Sequence, residues 1–287
     1  MTALYRPLRS VLFLPASNAR ALAKARGLDC DAVVLDLEDA VGPEAKAQAR
    51  ADAVQAARQG GFGRRMLAVR VNGIDTPWGP DDLRAVSEAP FDAVLAPKVA
   101  TGGDVARYDA RLAGEAELWA MIETPRALLH LEGIAGSAGS TRLKLLALGV
   151  NDLGAALRQR PRPDRGPLQA AMTLTVAAAR AHGLQAIDGV YNALDDDEGL
   201  EAEASQGRDF GFDGKSAIHP RQLEIINRAF APSDEERAWA EAVVAAFAAP
   251  ENTGKGVIAV QGQMVERLHL VEAERVLQLQ WSSSDEA

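Results

Sequence analysis

The chain has 287 residues and a single cysteine, Cys30, so no disulfide can form within it and a reducing compartment is its expected setting. Cys30 stands ahead of a strand-like run with no His/Asp arrangement directed at it, and reads as structural. Positive charge is in deficit: 31 Lys and Arg against 40 Asp and Glu leave a net −9, which argues against nonspecific nucleic-acid binding. No apolar run approaches the length of a membrane span, and the stretch 11–14 behind Arg6 and Arg9 is far too short for a signal-peptide core. A soluble cytoplasmic protein is the expectation. His130, His182 and His269 fall in helical segments without metal spacing, so no zinc site is indicated. Also missing are a G-x-G-x-x-G after a strand, a G-x-x-x-x-G-K-[ST] and a G-x-S-x-G, which disfavours dinucleotide-binding, P-loop and serine-hydrolase readings.

What is present is alternation. Strand-like segments occur at residues 10–14, 32–37, 66–71, 93–96, 118–122, 143–148, 185–188 and 214–218, most of them followed by a stretch of helical spacing rich in Ala, Leu, Arg and Glu, such as 43–58 and 167–182. Eight such alternations at this length predict a (β/α)₈ TIM barrel over residues 1–231. Residues 232–287 are surplus to a barrel and read as a helical extension, with helices near 233–248 and 268–279 around a short extended stretch at 257–260. Such an extension serves either as a lid or as an arm on a neighbouring subunit.

Two acidic residues dominate the functional reading: Glu123 in Ala120-Met-Ile-Glu-Thr-Pro125 and Asp152 in Gly149-Val-Asn-Asp-Leu153. Each follows a buried-strand pattern, which places it at a C-terminal strand end, where barrels of this kind build their sites. Two carboxylates there form a minimal cradle for Mg²⁺, which takes one or two protein carboxylates and leaves other positions to water and substrate. Other strand ends are polar as well, with Asp36-Leu-Glu38-Asp39, Arg70-Val-Asn72, Pro97-Lys98, Asp188 and His219-Pro220. Arg70 suits a substrate carboxylate or a salt bridge to Glu38, Asp39 or Glu123. Asp36 reads as a structural hydrogen-bonder, while Glu38 and Asp39 are candidates to hold water or accept a proton. Lys98 faces either the site or Asp92, and His219 is either a base or a loop-fixing hydrogen-bonder. Arg20 and Lys24 share one face of the first helix, as a phosphate contact or as a solvated basic surface.

Taken in order, Arg9-Ser-Val-Leu-Phe-Leu-Pro15, Asp36-Leu-Glu-Asp-Ala-Val41, Arg70-Val-Asn72, Pro97-Lys98, Ile122-Glu-Thr-Pro125, Asn151-Asp-Leu153, Ala186-Ile-Asp-Gly-Val-Tyr191 and Gly214-Lys-Ser-Ala-Ile-His-Pro220 resemble the citrate lyase β-subunit branch of the HpcH/HpaI aldolase family. That branch includes malyl-CoA and citramalyl-CoA lyases. The resemblance implies a homo-oligomer, often a trimer, with Mg²⁺ on Glu123 and Asp152, the substrate carboxylate on Arg70, and water placed by Glu38 and Asp39. It sets the CoA phosphates near Arg20 and Lys24. The tail of the family usually carries Gly-x-Met-[IV]-Asp, whose Asp reaches the neighbouring subunit's site. Here Gly262-Gln-Met-Val-Glu266 puts a glutamate, one methylene longer, in that place. The implied activity is retro-Claisen cleavage of a citryl-, malyl- or citramalyl-CoA thioester to a 2-oxo acid and acetyl-CoA or a related acyl-CoA. The alternatives are a CoA-independent 2-oxo-acid aldolase, a thioester hydrolase and a non-catalytic CoA-binding subunit, and an acyl carrier protein is a further partner implied by citrate lyase complexes.

Overall fold

In the computed structural model, which describes residues 6–279, eight parallel strands close into a barrel in sequence order. They are β1 (Ser10–Pro15), β2 (Ala32–Asp36), β3 (Met66–Arg70), β4 (Ala93–Ala96), β5 (Glu117–Ile122), β6 (Leu143–Leu148), β7 (Gln185–Asp188) and β8 (Gly214–Ala217), with β8 pairing back onto β1. Helices Ala19–Ala25, Lys46–Gln59, Gly79–Ser87, Gly102–Asp109, Gln169–Ala181, Asp197–Asp209 and Leu223–Phe230 lie between or after the strands, so the fold is the expected (β/α)₈ barrel. Local chemistry sets the helix ends. Thr101 and Asp104 form a reciprocal capping box at Gly102–Asp109, and Gly60, at φ 63°, closes Lys46–Gln59 in the left-handed region that other residues avoid. The two expected helices beginning at Pro43 and Pro167 each open instead with a 3₁₀ turn, Pro43–Ala45 and Gly166–Leu168, before the α-helix.

Period-two alternation sorts the strand side chains into two layers. Ala32 and Val34, Met66 and Ala68, Ala93 and Leu95, Trp119 and Met121, and Leu145 and Ala147 form one cluster that fills the barrel interior. Val33 and Leu35, Leu67 and Val69, Val94 and Ala96, and Ala120 and Ile122 belong to the other, with the inward faces of the helices. Continuing the inward series by two residues reaches Asp36, Arg70 and Glu123. The parity that packs the apolar interior therefore also aims these three polar side chains into the barrel mouth. One irregularity interrupts the pattern: between β5 and β6 the register jumps at Leu118/Trp119, leaving Lys144 as the extra, exposed residue of a bulge.

Cys30 lies in the outer layer, 4% exposed, and burial pushes its thiol up to about 12, against the opposing pull of Arg65 and with the help of Asp31 and Asp29. The native protein is expected not to react with Ellman's reagent at pH 8, and to release one equivalent of thionitrobenzoate on unfolding. Rapid stoichiometric reaction of the folded protein would contradict this environment.

The chain divides into two compact units, Leu8–Phe230 and a second one that contains the described residues from Ala231 onward. In the second unit Ser233 and Glu236 form a capping box at helix Asp234–Ala248. A hairpin of β9 (Val257–Val260) and β10 (Gln263–Glu266) follows, then helix Arg267–Gln278. The extended stretch expected at 257–260 thus has an antiparallel partner that the sequence reading did not anticipate. Its signal was the turn Gln261-Gly262, both at positive φ (49° and 81°), as a two-residue hairpin of the primed type requires. A core of Ala240, Val243, Ile258, Val260, Val265 and Ala273 holds this unit together, which a lone hairpin could not do.

Candidate functional site

The site begins with an ion pair across β2 and β3. Arg70 donates through Nε and Nη2 to the two carboxylate oxygens of Asp36, both at 2.7 Å, and Asp36 also accepts from the backbone N–H of Glu38 (2.9 Å) and of Ala40 (3.1 Å). The acceptor capacity of Asp36 is thereby used up, which makes it the orienting partner of Arg70. The remaining nitrogen, Nη1, lies 3.0 Å from Glu38 Oε2 and 4.0 Å from Asp39 Oδ2, and the guanidinium sits over the Phe13 ring. Burial works against the charge on Arg70, but hydrogen bonding and proximity to Asp36, with Glu38 and Glu123 behind, outweigh it and hold its pKa above the ordinary value. For Glu38 burial wins. It pushes the carboxyl up to about 7, opposed by Arg70 and reinforced by Glu123 and Asp39.

Lys98 is the second cation of the site. It faces the strand ends, whereas Asp92 accepts the Leu67 N–H at 2.7 Å. Its ammonium contacts Asp152 and lies 3.4 Å from Glu123 Oε1, with Glu38 Oε1 and Asp39 Oδ2 each at 3.9 Å. Its backbone N–H also donates to Glu123 Oε1 at 2.7 Å, from a main chain in the left-handed region at φ 53°. Glu123 is almost wholly buried, and Asp152 stands in the first turn of helix Val150–Ala156, where a carboxylate suits the helix dipole. Glu38, Asp39, Glu123 and Asp152, separated by up to 114 positions, thus converge on one ammonium.

A cavity of about 430 Å³ opens at the barrel mouth, and its lining includes Phe13, Asp36, Asp39, Arg70, Glu123 and Asp152. Its chemistry fits Mg²⁺. Five carboxylates with Asp36 face only two cations, an excess of negative charge. A Cβ at Gly149 would stand 2.4 Å from Glu123 Cβ and 2.7 Å from its Oε2, so glycine there leaves the space the carboxylate occupies. Among the described residues no group of three or more His, Cys, Asp or Glu is arranged to hold a metal by itself. A pair of carboxylates completed by water and substrate is the arrangement Mg²⁺ prefers.

Lys46 and Arg165 escaped the sequence reading, while Asn72 and Lys215 stood in its strand-end motifs without a role of their own. Lys46 is buried, donates to the carbonyls of Leu37 (2.9 Å) and Glu38 (2.8 Å), and so pins the loop that carries Glu38 and Asp39. Asn72 ties the same loop to β3 by donating to the Leu37 carbonyl at 2.9 Å and to Asp82 at 2.6 Å. At the far side of the mouth, Arg165 donates to both oxygens of Asp188 (2.9 and 2.8 Å), and Lys215 donates to Asp188 (3.1 Å), Glu203 (2.7 Å) and the Gly189 carbonyl (2.7 Å). The only local signal was a lysine inside the strand Gly214–Ala217, where a charge is out of place without a partner.

The other candidates have these surroundings. Arg20 and Lys24 are exposed on helix Ala19–Ala25 and are not among the residues lining the cavity. His219 fixes its loop, its Nδ1 accepting from the Arg221 N–H at 3.2 Å. Glu266 belongs to the second unit, at the N-terminus of helix Arg267–Gln278, where its backbone N–H donates to His269 Nδ1 at 2.9 Å.

Comparison with known proteins agrees with this geometry. The chain is 49% identical over 271 residues to a (3S)-malyl-CoA thioesterase of Cereibacter sphaeroides, covering 94% of both chains. It is 33% identical over 301 residues to an L-malyl-CoA/beta-methylmalyl-CoA lyase of the same species, covering 95% of this chain and 94% of that one. Among solved structures, the CitE protein of Mycobacterium tuberculosis in complex with magnesium, acetoacetate and coenzyme A superposes with a TM-score of 0.76 at 30% identity, over 95% of this chain and 97% of that one. The HpcH/HpaI aldolase/citrate lyase family model matches residues 9–220, which span the barrel and every strand end of the site. With its closed barrel and this ring of acids around Arg70 and Lys98, the chain belongs to the HpcH/HpaI aldolase/citrate lyase family.

Proposed function

We propose that this protein is a Mg²⁺-dependent hydrolase of a malyl-CoA-type thioester, releasing the 2-hydroxy dicarboxylic acid and free CoA. The observation that carries the reading is the greater likeness to a (3S)-malyl-CoA thioesterase, 49% identical, than to a malyl-CoA lyase, 33% identical, at the same coverage of this chain to within a point. The glutamate at position 266 supports it. A catalytic acid displaced by one methylene is a poor instrument for the proton transfers of carbon–carbon cleavage, which depend on sub-ångström placement.

Glu123 and Asp152 are the residues that would hold the metal. When bound there, Mg²⁺ supplies Lewis-acid polarisation of substrate oxygens and neutralises part of the substrate's charge. Arg70, already oriented by Asp36, has N–H groups left over from that fork to receive the substrate carboxylate. Glu38 and Asp39 stand beside it as the carboxylates that take a proton from the attacking water. A C–O bond forms at the thioester carbonyl, the C–S bond breaks, and the leaving thiolate recovers the proton. Arg20 and Lys24 are the surface to which the CoA phosphates would bind. The exposed apolar residues Met264, Leu268 and Val271 on the second unit suit an arm covered by a neighbouring subunit, as in a homotrimer. No helix among the described residues is long and apolar enough to cross a membrane.

A second reading, lyase cleavage of the same thioester to a 2-oxo acid and acetyl-CoA, is favoured by the likeness to a CitE structure that holds magnesium, acetoacetate and coenzyme A. Incubation with malyl-CoA and Mg²⁺, followed by mass spectrometry, separates the two. Malate with free CoA, abolished by EDTA, is the expected result; glyoxylate with acetyl-CoA would establish the lyase, and no turnover would reject both.

A further inference from the structure

Lys98 is placed with a care that an incidental salt bridge does not require. Its backbone is held at φ 53°, a conformation that disfavours any side chain, and the result is an ammonium lodged between Glu123 and Asp152. Its own N–H fixes the Glu123 carboxylate at 2.7 Å, independently of where the ammonium lies. The side chains of Lys98 and Asp152 are 41% and 42% exposed, which leaves both free to move, whereas the Glu123 side chain, at 2%, is not. A second pair of acceptors, Glu38 Oε1 and Asp39 Oδ2, waits at 3.9 Å.

We propose that Lys98 is the resident counter-cation of the metal cradle: its ammonium holds Glu123 and Asp152 together in the metal-free protein and is exchanged for the divalent ion, withdrawing to Glu38 and Asp39. The proposal rests on the assignment of Glu123 and Asp152 as metal-holding residues. An ammonium and a divalent cation cannot share the two carboxylates without strong repulsion, so one must leave as the other arrives. The exchange keeps the carboxylates from repelling one another in the free protein, and the backbone hydrogen bond keeps Glu123 in place throughout. It also tunes metal affinity downwards, since the incoming ion must displace a bound charge. Lys98 is in this sense a positioning residue.

The test uses the full chain, stripped with EDTA, and Mn²⁺ as probe, with binding read by electron paramagnetic resonance and by the melting temperature with and without the ion. Lys98→Met keeps the length of the stem and the backbone while removing the charge. It is expected to bind Mn²⁺ at least tenfold more tightly than wild type, to melt at a lower temperature in EDTA, and to gain more from the ion. A residue with a merely structural role would leave the affinity unchanged or weaken it. An affinity equal to or below wild type in Lys98→Met, with binding lost in Asp152→Asn, overturns the exchange and leaves the metal assignment standing. Mn²⁺ held by Asp152→Asn as tightly as by wild type overturns the assignment and the exchange with it. Lys98→Gln, which keeps a polar head among the carboxylates, is read in the same way if Lys98→Met does not fold.

Discussion

Glu123→Gln and Asp152→Asn are each expected to lower turnover of malyl-CoA about 10³-fold, the rate equivalent of the several kcal/mol that a bound metal supplies to developing charge. Both substitutions keep the shape of the side chain and remove only the charge that a divalent ion needs. The amide oxygen that Glu123→Gln introduces would still accept the Lys98 N–H, so the local hydrogen bond survives. Asp152 is partly exposed, and its loss removes a favourable interaction with the helix dipole, on the order of 0.5 kcal/mol, and one of the four carboxylates around the Lys98 ammonium, which keeps Glu38, Asp39 and Glu123 as counter-charges. The melting temperatures measured in EDTA should therefore stay close to wild type while kcat falls. Wild-type kcat in either variant would remove the metal assignment, and a large drop in melting temperature in EDTA would move these residues from the reaction to the fold.

Lys215→Met is expected to cost about 3–5 kcal/mol of stability, with no corresponding loss expected for exposed pairs such as Arg228–Glu201. Lys215 is fully buried, and its ammonium is shared by Asp188, Glu203 and the Gly189 carbonyl. Methionine fills the same volume but leaves Asp188 and Glu203 with Arg165 alone, and an unbalanced charge in a low-dielectric interior is far more costly than an absent pair. Against a typical total of about 5–15 kcal/mol, such a loss brings the barrel close to unfolding. Adding Glu203→Gln to Lys215→Met should recover part of the loss, because it removes one of the stranded charges. Denaturant melts of the single and double variants decide it. A loss below about 1 kcal/mol in the single variant, or a further loss in the double, would mean that water or another cation satisfies these carboxylates.

The barrel was legible because its signals are local. Buried parallel strands need apolar runs such as Ala93–Ala96, and helices need caps such as Thr101 with Asp104, and both can be read a few residues at a time. The polar strand ends were legible for the same reason, since a charged residue directly after an apolar run is conspicuous. The β9–β10 hairpin went unnoticed because β10, Gln263–Glu266, is not an apolar run and its turn lacks the usual Asn-Gly or Asp-Gly pair. Lys46 and Asn72 looked like ordinary polar residues of a helix and a loop; their role appears only when the Leu37 and Glu38 carbonyls are brought to them.

By itself, then, the sequence determined the eight strands and their order, the apolar layers on either side of the sheet, the family, and the strand-end positions of Asp36, Asp39, Arg70, Glu123 and Asp152. Only the tertiary structure decided how those residues pair: Asp36 taking the fork of Arg70, Lys98 turned to four carboxylates and away from Asp92, and Lys215 and Arg165 meeting at Asp188. The reason lies in what each kind of information can carry. Strand periodicity states whether a side chain points into or out of the barrel, but its partner across the mouth depends on register, on closure of β8 onto β1, and on backbone conformations such as that of Lys98, which are set by contacts between residues far apart in the chain.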